Sequence, residues 1–204
     1  MPRVSFVLVA LLAAALLVST SGTAGRSVQG TLVGDSVAGS ISQSPDAQAE
    51  LKRGLSVRLD AEVCRRLVRP SCLFRGASPT TAFQAVRSYG RGLGEILIVH
   101  VGYNDSADGY PQGIDRVLRA ARSQGVESVI WVTLHEATSA YRRTNVAIAS
   151  AAERWPELAL ADWSTHSRDE LWFRRDGIHL NGAGARALAS FLRARVLDVA
   201  RRSS

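Results

Sequence analysis

From residue 28 onward, short apolar runs alternate with longer stretches whose apolar residues recur at helical spacing. Residues 28–34 form the first run and lead into Asp35 and Ser36. Residues 56–61 set Val57 and Leu59 between polar neighbours, residues 95–102 read EILIVHVG, residues 128–134 read SVIWVTL, and residues 158–163 read LALADW. Each run has the length of a strand, and near-continuous apolar character marks strands covered on both faces, as in parallel sheets. Helical patterns cover 80–93, 112–123, 139–154 and 182–202, with Val117, Leu118 and Ala121 forming an apolar stripe on the second. This alternation predicts an α/β protein, a three-layer α/β/α sandwich around a mostly parallel five-stranded sheet. No repeat or long linker divides residues 26–204, which read as one domain.

The first 25 residues have a different pattern. Arg3 precedes an apolar stretch from residue 4 to residue 18, and small residues follow through Gly25. That order predicts a secretory signal peptide over residues 1–25, and hence a secreted or extracytoplasmic protein. The run falls short of the roughly 20 residues of a spanning helix, so no membrane span is expected after cleavage; an uncleaved anchor is the alternative.

Composition narrows the classes. Hydrophobic residues at 46% and charged residues at 21% are globular rather than disordered proportions. Two cysteines exclude a disulfide-dense scaffold and a four-cysteine zinc site. In an oxidising compartment Cys64 and Cys72 are expected to close a short ring worth about 2–3 kcal/mol; a catalytic thiol is the alternative. The net charge is +7, and Lys52 is the only lysine, so the excess is carried by arginine. Without a contiguous basic arm or basic helix face, no nucleic-acid partner is expected, and an anionic cell wall or membrane surface fits at least as well.

In open parallel sheets, ligands bind beyond the carboxyl ends of the strands. Ser36, in Gly34-Asp35-Ser36, stands there at a strand-to-helix turn with helix N-terminal amides beside it. Ala38 takes the place of the second glycine of the common hydrolase elbow, so the segment fails that pattern. Asp176-Gly177-Ile178-His179 precedes the last helix. An imidazole can take a serine proton near neutral pH, and a carboxylate at its Nδ1 fixes the tautomer. Alone, this segment reads equally well as an Asp cap beside a half-buried His. In Gly102-Tyr103-Asn104-Asp105, the Asn104 amide can donate to an oxyanion; a turn asparagine is the plainer reading. Asn104-Asp105-Ser106 also matches a glycosylation sequon, which would block that amide.

Taken together, these segments resemble the SGNH (GDSL-type) hydrolase superfamily in order and placement, across essentially the whole mature domain. The resemblance implies a flavodoxin-like fold, Ser36 as nucleophile, His179 as base and Asp176 as its partner. It also implies an oxyanion hole made by the Ser36 N–H, a second backbone N–H and Asn104. The family usually offers a glycine for that second amide, and residues 60–65 have none. This stretch resembles extracellular peptidoglycan O-acetyltransferase domains, which implies Cys64 as the donor with the disulfide holding its loop; Gly76 competes.

The remaining candidates have duller alternatives. His100, inside the third strand, reads as a satisfied core histidine. Tyr103, His135 and Trp172 are the expected substrate contacts, although a solvated loop explains His135 and Glu136 as well. Trp163, Trp172 and Phe173 suit packing under a loop better than stacking on sugars. His166 sits in a polar loop without an evident partner. Gly182-Ala183-Gly184 mimics a dinucleotide fingerprint but follows no strand, so close packing of the last helix is expected. Four scattered histidines give no metal-ligand spacing, and neither metal nor cofactor is expected. The expected protein is a monomeric serine esterase acting on O-acetyl or short-chain acyl esters, with acetylated polysaccharide as a substrate class. The rivals are an O-acetyltransferase served by a separate membrane partner, and an inactive carbohydrate-binding module.

Overall fold

The computed structural model describes residues 27–203, so the expected signal peptide lies outside the described residues. Five strands, β1 (Val28–Gly34), β2 (Leu55–Ala61), β3 (Ile96–His100), β4 (Ser128–Val132) and β5 (Leu158–Ala161), form one sheet. All pair in parallel, in the order β2-β1-β3-β4-β5. The expected α/β sandwich is what forms, with a wholly parallel sheet.

Alternation within the strands builds both faces. Leu32, Ile98, Ile130 and Val132 point into a core shared with α1 (Ser36–Ser42), α2 (Pro45–Lys52) and α7 (Gly182–Ser203). Val33, Leu97, Val99, Val129 and Trp131 point the other way, against α3 (Ala82–Tyr89), α4 (Tyr110–Ser123) and α5 (Ser139–Arg154). Consecutive strand residues face opposite sides, so an almost uninterrupted apolar run serves two cores at once.

The element boundaries have local causes. The pattern over 80–93 splits: Thr81 and Gln84 make a reciprocal capping box at the start of α3, and a 3₁₀ turn takes Gly90–Leu93. The fifth run stops at Ala161 because Asp162 accepts from the Thr165 N–H and caps a short α6 (Trp163–His166). Helices α1 and α2 fill the connection between β1 and β2, and α1 is the helix expected to begin at Ser36. Ser44 caps α2, and Pro45 restarts the helix at its first turn. Gly184 lets α7 pack closely, since a Cβ there would meet the Trp172 carbonyl oxygen at 2.3 Å.

Ser36 opens α1 immediately beyond β1, and β1 lies between β2 and β3. Chain connections leave in opposite directions on either side of such a strand, and the crevice between them is where this architecture binds ligands.

Candidate active site

The site begins with an unusually close approach. A Cβ at residue 34 would lie 2.3 Å from the Ala38 Cβ, so Gly34 lets α1 start hard against the end of β1. Asp35 follows and is fully buried. Its Oδ1 accepts from the Val37 N–H at 3.1 Å, and its Oδ2 accepts from Gly102 and Tyr103, also at 3.1 Å each. One carboxyl thus ties the first turn of α1 to the loop after β3. Burial pushes its pKa up to about 7, against the three N–H donors that favour the charged form.

Ser36 Oγ meets His179 Nε2 at 3.0 Å, across 143 positions of sequence. His179 Nδ1 lies 2.9 Å from Asp176 Oδ2. The other Asp176 oxygen accepts from the Ile178 and His179 N–H groups at 2.9 Å each. These amide bonds, with the imidazole contact, hold the Asp176 carboxyl down at about 2. The loop closes on itself: the Arg174 N–H donates to the His179 carbonyl at 2.7 Å, and the Gly177 N–H donates to the Arg174 carbonyl at 2.9 Å. Asn181 then caps α7 by accepting from the Gly184 N–H.

A second loop approaches from β2. The Glu62 N–H donates to the Gly34 carbonyl at 3.1 Å, which brings Val63 and Cys64 towards Ser36. Cys64 and Cys72 are disulfide-bonded, with Cα atoms 5.2 Å apart, so neither is a free thiol. Cys64 has a φ of 71°, a left-handed conformation uncommon for a side-chain-bearing residue. The Ser36 and Cys64 N–H groups have no hydrogen-bond acceptor among the described residues. Asn104 Nδ2 donates to the Arg65 carbonyl at 3.2 Å, which leaves the second amide hydrogen for another acceptor. Gly76, the competing donor, lies instead at the exposed tip of the Phe74–Ala77 turn, where its φ of 82° serves the turn.

Two further charged residues support this corner, Arg65 buried and Asp105 half-buried, and Arg65 does not stand out in the sequence. Arg65 is 1% exposed. It donates to the Gly34 and Asp60 carbonyls, to Asp60 Oδ1 at 2.8 Å, and to the Thr80 carbonyl and hydroxyl. Asp105 accepts from the Leu67 N–H, and burial lifts its carboxyl to about 6.

Several expectations are corrected. Tyr103, expected at the substrate, lies in the core with its hydroxyl accepting from the His135 N–H at 2.7 Å. Trp172 packs on the buried Trp163, with ring centroids 5.5 Å apart and planes 14° apart, so its face is covered from within. His135 stacks on Phe173 at 3.9 Å, its Nδ1 lies 3.0 Å from Ser167 Oγ, and burial pushes its pKa down. His166 ends α6 and stacks on Phe191 at 4.8 Å rather than standing in a polar loop. His100 is buried as expected but not satisfied: neither ring nitrogen has a hydrogen-bond partner among the described residues. Burial drives its pKa down to about 3 and keeps the ring neutral. Glu136 turns away to Asn145 and Arg142.

A cavity of about 200 Å³ opens beside Ser36 and His179, lined also by Ser40, Gln43, Val63, Arg174 and Leu180. A wider hollow of about 610 Å³ lies at the opposite, amino-terminal ends of the strands, around Gln29, Ser56 and Gly94. It holds no serine–imidazole contact, so the smaller cavity is the candidate site. Among the described residues no group of three His, Cys, Asp or Glu side chains is placed to hold a metal ion. No helix among them is long and apolar enough to cross a membrane.

No family model and no curated relative matches this chain. Solved structures do. The C-terminal catalytic domain of Streptococcus pneumoniae peptidoglycan O-acetyltransferase A, bearing a methylsulfonyl adduct, is 21% identical with a TM-score of 0.66. The match covers 86% of this chain and 96% of that domain. A putative arylesterase from Agrobacterium tumefaciens is 15% identical over 84% of this chain and 99% of its own, with a TM-score of 0.67. A carbohydrate acetylesterase family member from Sinorhizobium meliloti is 15% identical over 83% and 98%, with a TM-score of 0.62. Gly34-Asp35-Ser36, Asn104 and Asp176–His179 thus stand on a scaffold that these proteins share: the chain has the fold of the SGNH (GDSL-type) hydrolases.

Proposed function

We propose that this chain is an exported serine esterase that cleaves short-chain acyl esters, O-acetyl esters above all, through an acyl-enzyme on Ser36. The unbroken chain of contacts from Ser36 Oγ through His179 to Asp176 carries this reading. His179 Nε2 takes the hydroxyl proton as Ser36 Oγ bonds to the ester carbonyl carbon. Asp176 holds the proton on Nδ1, which keeps Nε2 free to accept. The carbonyl π electrons move to oxygen, where the N–H groups of Ser36 and Cys64 and the amide of Asn104 receive the charge. On collapse the C–O bond to the alcohol breaks, and His179 returns its proton to the departing oxygen. Water, deprotonated by His179, then releases the carboxylic acid and restores Ser36.

The cavity supports a short acyl group, because about 200 Å³ is less than the roughly 300 Å³ at which pockets for drug-sized ligands begin. The disulfide supports an oxidising, extracytoplasmic location, as does the signal-like pattern of residues 1–25. Turnover of p-nitrophenyl acetate by wild type and Ser36→Ala tests the reading. A loss of at least about 10³-fold is expected, since the covalent step disappears. Fluorophosphonate labelling should map to Ser36; equal rates in both proteins overturn serine catalysis.

Likeness to an O-acetyltransferase domain favours one second reading, in which a sugar hydroxyl replaces water in the deacylation step. Analysis of the products with a glycan acceptor present separates the two: free acetate marks the esterase, acetylated glycan the transferase.

A further inference from the structure

The cavity beside Ser36 is uneven in character. Val63 and Leu180 line it with apolar surface, whereas Arg174 contributes the one permanently charged side chain among its lining residues. Arg174 is also unusually well held for an exposed arginine. Its N–H and its carbonyl are bonded within the His179 loop, and its Nε donates to the Leu180 carbonyl at 3.1 Å. The backbone bonds hold the residue in place, and the Nε bond orients the guanidinium. Both terminal nitrogens remain without an acceptor or an ion pair among the described residues. The nearest acid in sequence, Asp176, is already committed to the Ile178 and His179 amides and to the imidazole. Arg175, its neighbour in the chain, adds charge of the same sign.

A fixed planar fork with free N–H groups matches the paired oxygens of a carboxylate or phosphate, and is more selective for them than a flexible ammonium. The cavity has the volume of about seven water molecules at ~30 Å³ each, enough for an acetyl group and one charged substituent. We propose that the site takes esters whose alcohol portion carries an anionic group, with a carboxylate-bearing sugar as the substrate class and Arg174 as the residue that selects it. This rests on the Ser36 reading for the bond that is cleaved.

Three matched acetyl esters test it: methyl glycosides of an acetylated hexuronic acid, an acetylated hexose phosphate and an acetylated neutral hexose. Wild type should favour the carboxylate ester over the neutral one by about tenfold in kcat/KM, chiefly through KM, as one charge-assisted pair near the surface allows. The preference should shrink as salt rises. In Arg174→Met the ratio should fall to about one, and Arg174→Lys should retain part of it. Stronger preference for the phosphate ester supports the same selection with phosphate as its source. A wild type that does not distinguish charged from neutral esters overturns the proposal. So does an Arg174→Met protein whose rates on all three esters fall together with the ratio kept, since that marks a brace for His179. Calorimetric binding of the same esters to Ser36→Ala, and to that protein with Arg174→Met added, reads the charge preference without turnover. Failure of the anion reading is thereby distinguished from failure of the Ser36 reading, which Ser36→Ala kinetics on p-nitrophenyl acetate report alone.

Discussion

Asp35 and Asp176 flank the Ser36–His179 contact, one on the serine side and one on the imidazole side, in opposite surroundings. Asp35 is sealed in the core and accepts three backbone N–H bonds, two of them from residues 67 and 68 positions away. Asp176 is a local partner, three residues from His179, with a side chain 47% exposed. The buried carboxyl therefore joins separate parts of the fold, whereas the exposed one meets a ring nitrogen within its own loop. The same residue type should affect folding in the first place and rate in the second.

Asp176→Asn should show the larger effect and show it in kcat. The Asn oxygen can still accept the two amides, but its NH₂ then faces Nδ1, the ring proton moves to Nε2, and Ser36 loses its base. A fall of about 10²–10⁴-fold is expected, with the thermal midpoint at neutral pH lowered less than in Asp35→Ala. Comparable losses of rate and stability would erase the contrast. Asp35→Ala should behave in the reverse sense. It leaves buried N–H groups at Val37, Gly102 and Tyr103 without their acceptor, at about 1–3 kcal/mol for each one left unsatisfied. A loss of about 3 kcal/mol or more, or roughly 6–12 °C in Tm, should appear by calorimetry. A midpoint within a degree of wild type would show that Asp35 is not the tie described.

The two sides also differ in how far the chain reveals them. The strands are legible because each is a short apolar run whose alternate residues serve opposite cores. Ser36, Asp176 and His179 stand out only when their segments are taken together, since each segment alone also reads as a turn or a cap, and the fold brings the three side chains within hydrogen-bond reach. Asp35 stands between Gly34 and Ser36 in plain view, yet its role depends on amides beyond β3 that no local pattern identifies. Arg65 is similar: one arginine among several in its loop gives no sign that it is the one buried against Gly34, Asp60 and Thr80. Helix α2 escapes for another reason. It is eight residues long, opened by Ser44 and Pro45, and too short to establish a stripe. Tyr103 and Trp172 mislead because an aromatic near a motif looks the same in sequence whether it faces substrate or core.

The Cys64 loop extends the comparison to the oxyanion side. Cys72→Ser opens the ring, which should lower stability by about 2–3 kcal/mol and release Cys64 from its left-handed conformation. If the Cys64 N–H is an oxyanion donor, kcat/KM on p-nitrophenyl acetate should fall about tenfold, less than complete removal of a donor. Cys64→Gly with Cys72→Ser should recover most of the rate and none of the stability, because glycine adopts positive φ without a Cβ penalty. A double variant no faster than Cys72→Ser would remove Cys64 from the oxyanion hole.

The smallest effect expected is in the pH dependence of stability, where the two carboxyls have opposite signs. Asp176 titrates at about 2 in the fold, below the ~4 of an unfolded chain. Between those values the unfolded state binds more protons, so the contribution of Asp176 is present above about pH 4 and is lost as pH falls towards 2. Asp35 titrates at about 7, above its unfolded value. From about pH 4 to 7 the folded state holds the extra proton, so stability falls as pH rises through that window. Asp105, at about 6, adds to the same decline and stops contributing sooner. In thermal midpoints measured from pH 3 to 8 these carboxyls should contribute a decline from about pH 4 towards 7, opposed below about pH 6.5 by buried His100, which stays neutral in the fold while the unfolded chain takes up its proton. Asp176→Asn should flatten the acid side alone. Asp35→Asn, whatever its overall cost, should remove the part of the decline between about pH 6 and 7, which Asp105 does not supply. If that segment keeps its slope in Asp35→Asn, the buried carboxyl is ionised throughout, and its three amide donors rather than its burial control its charge.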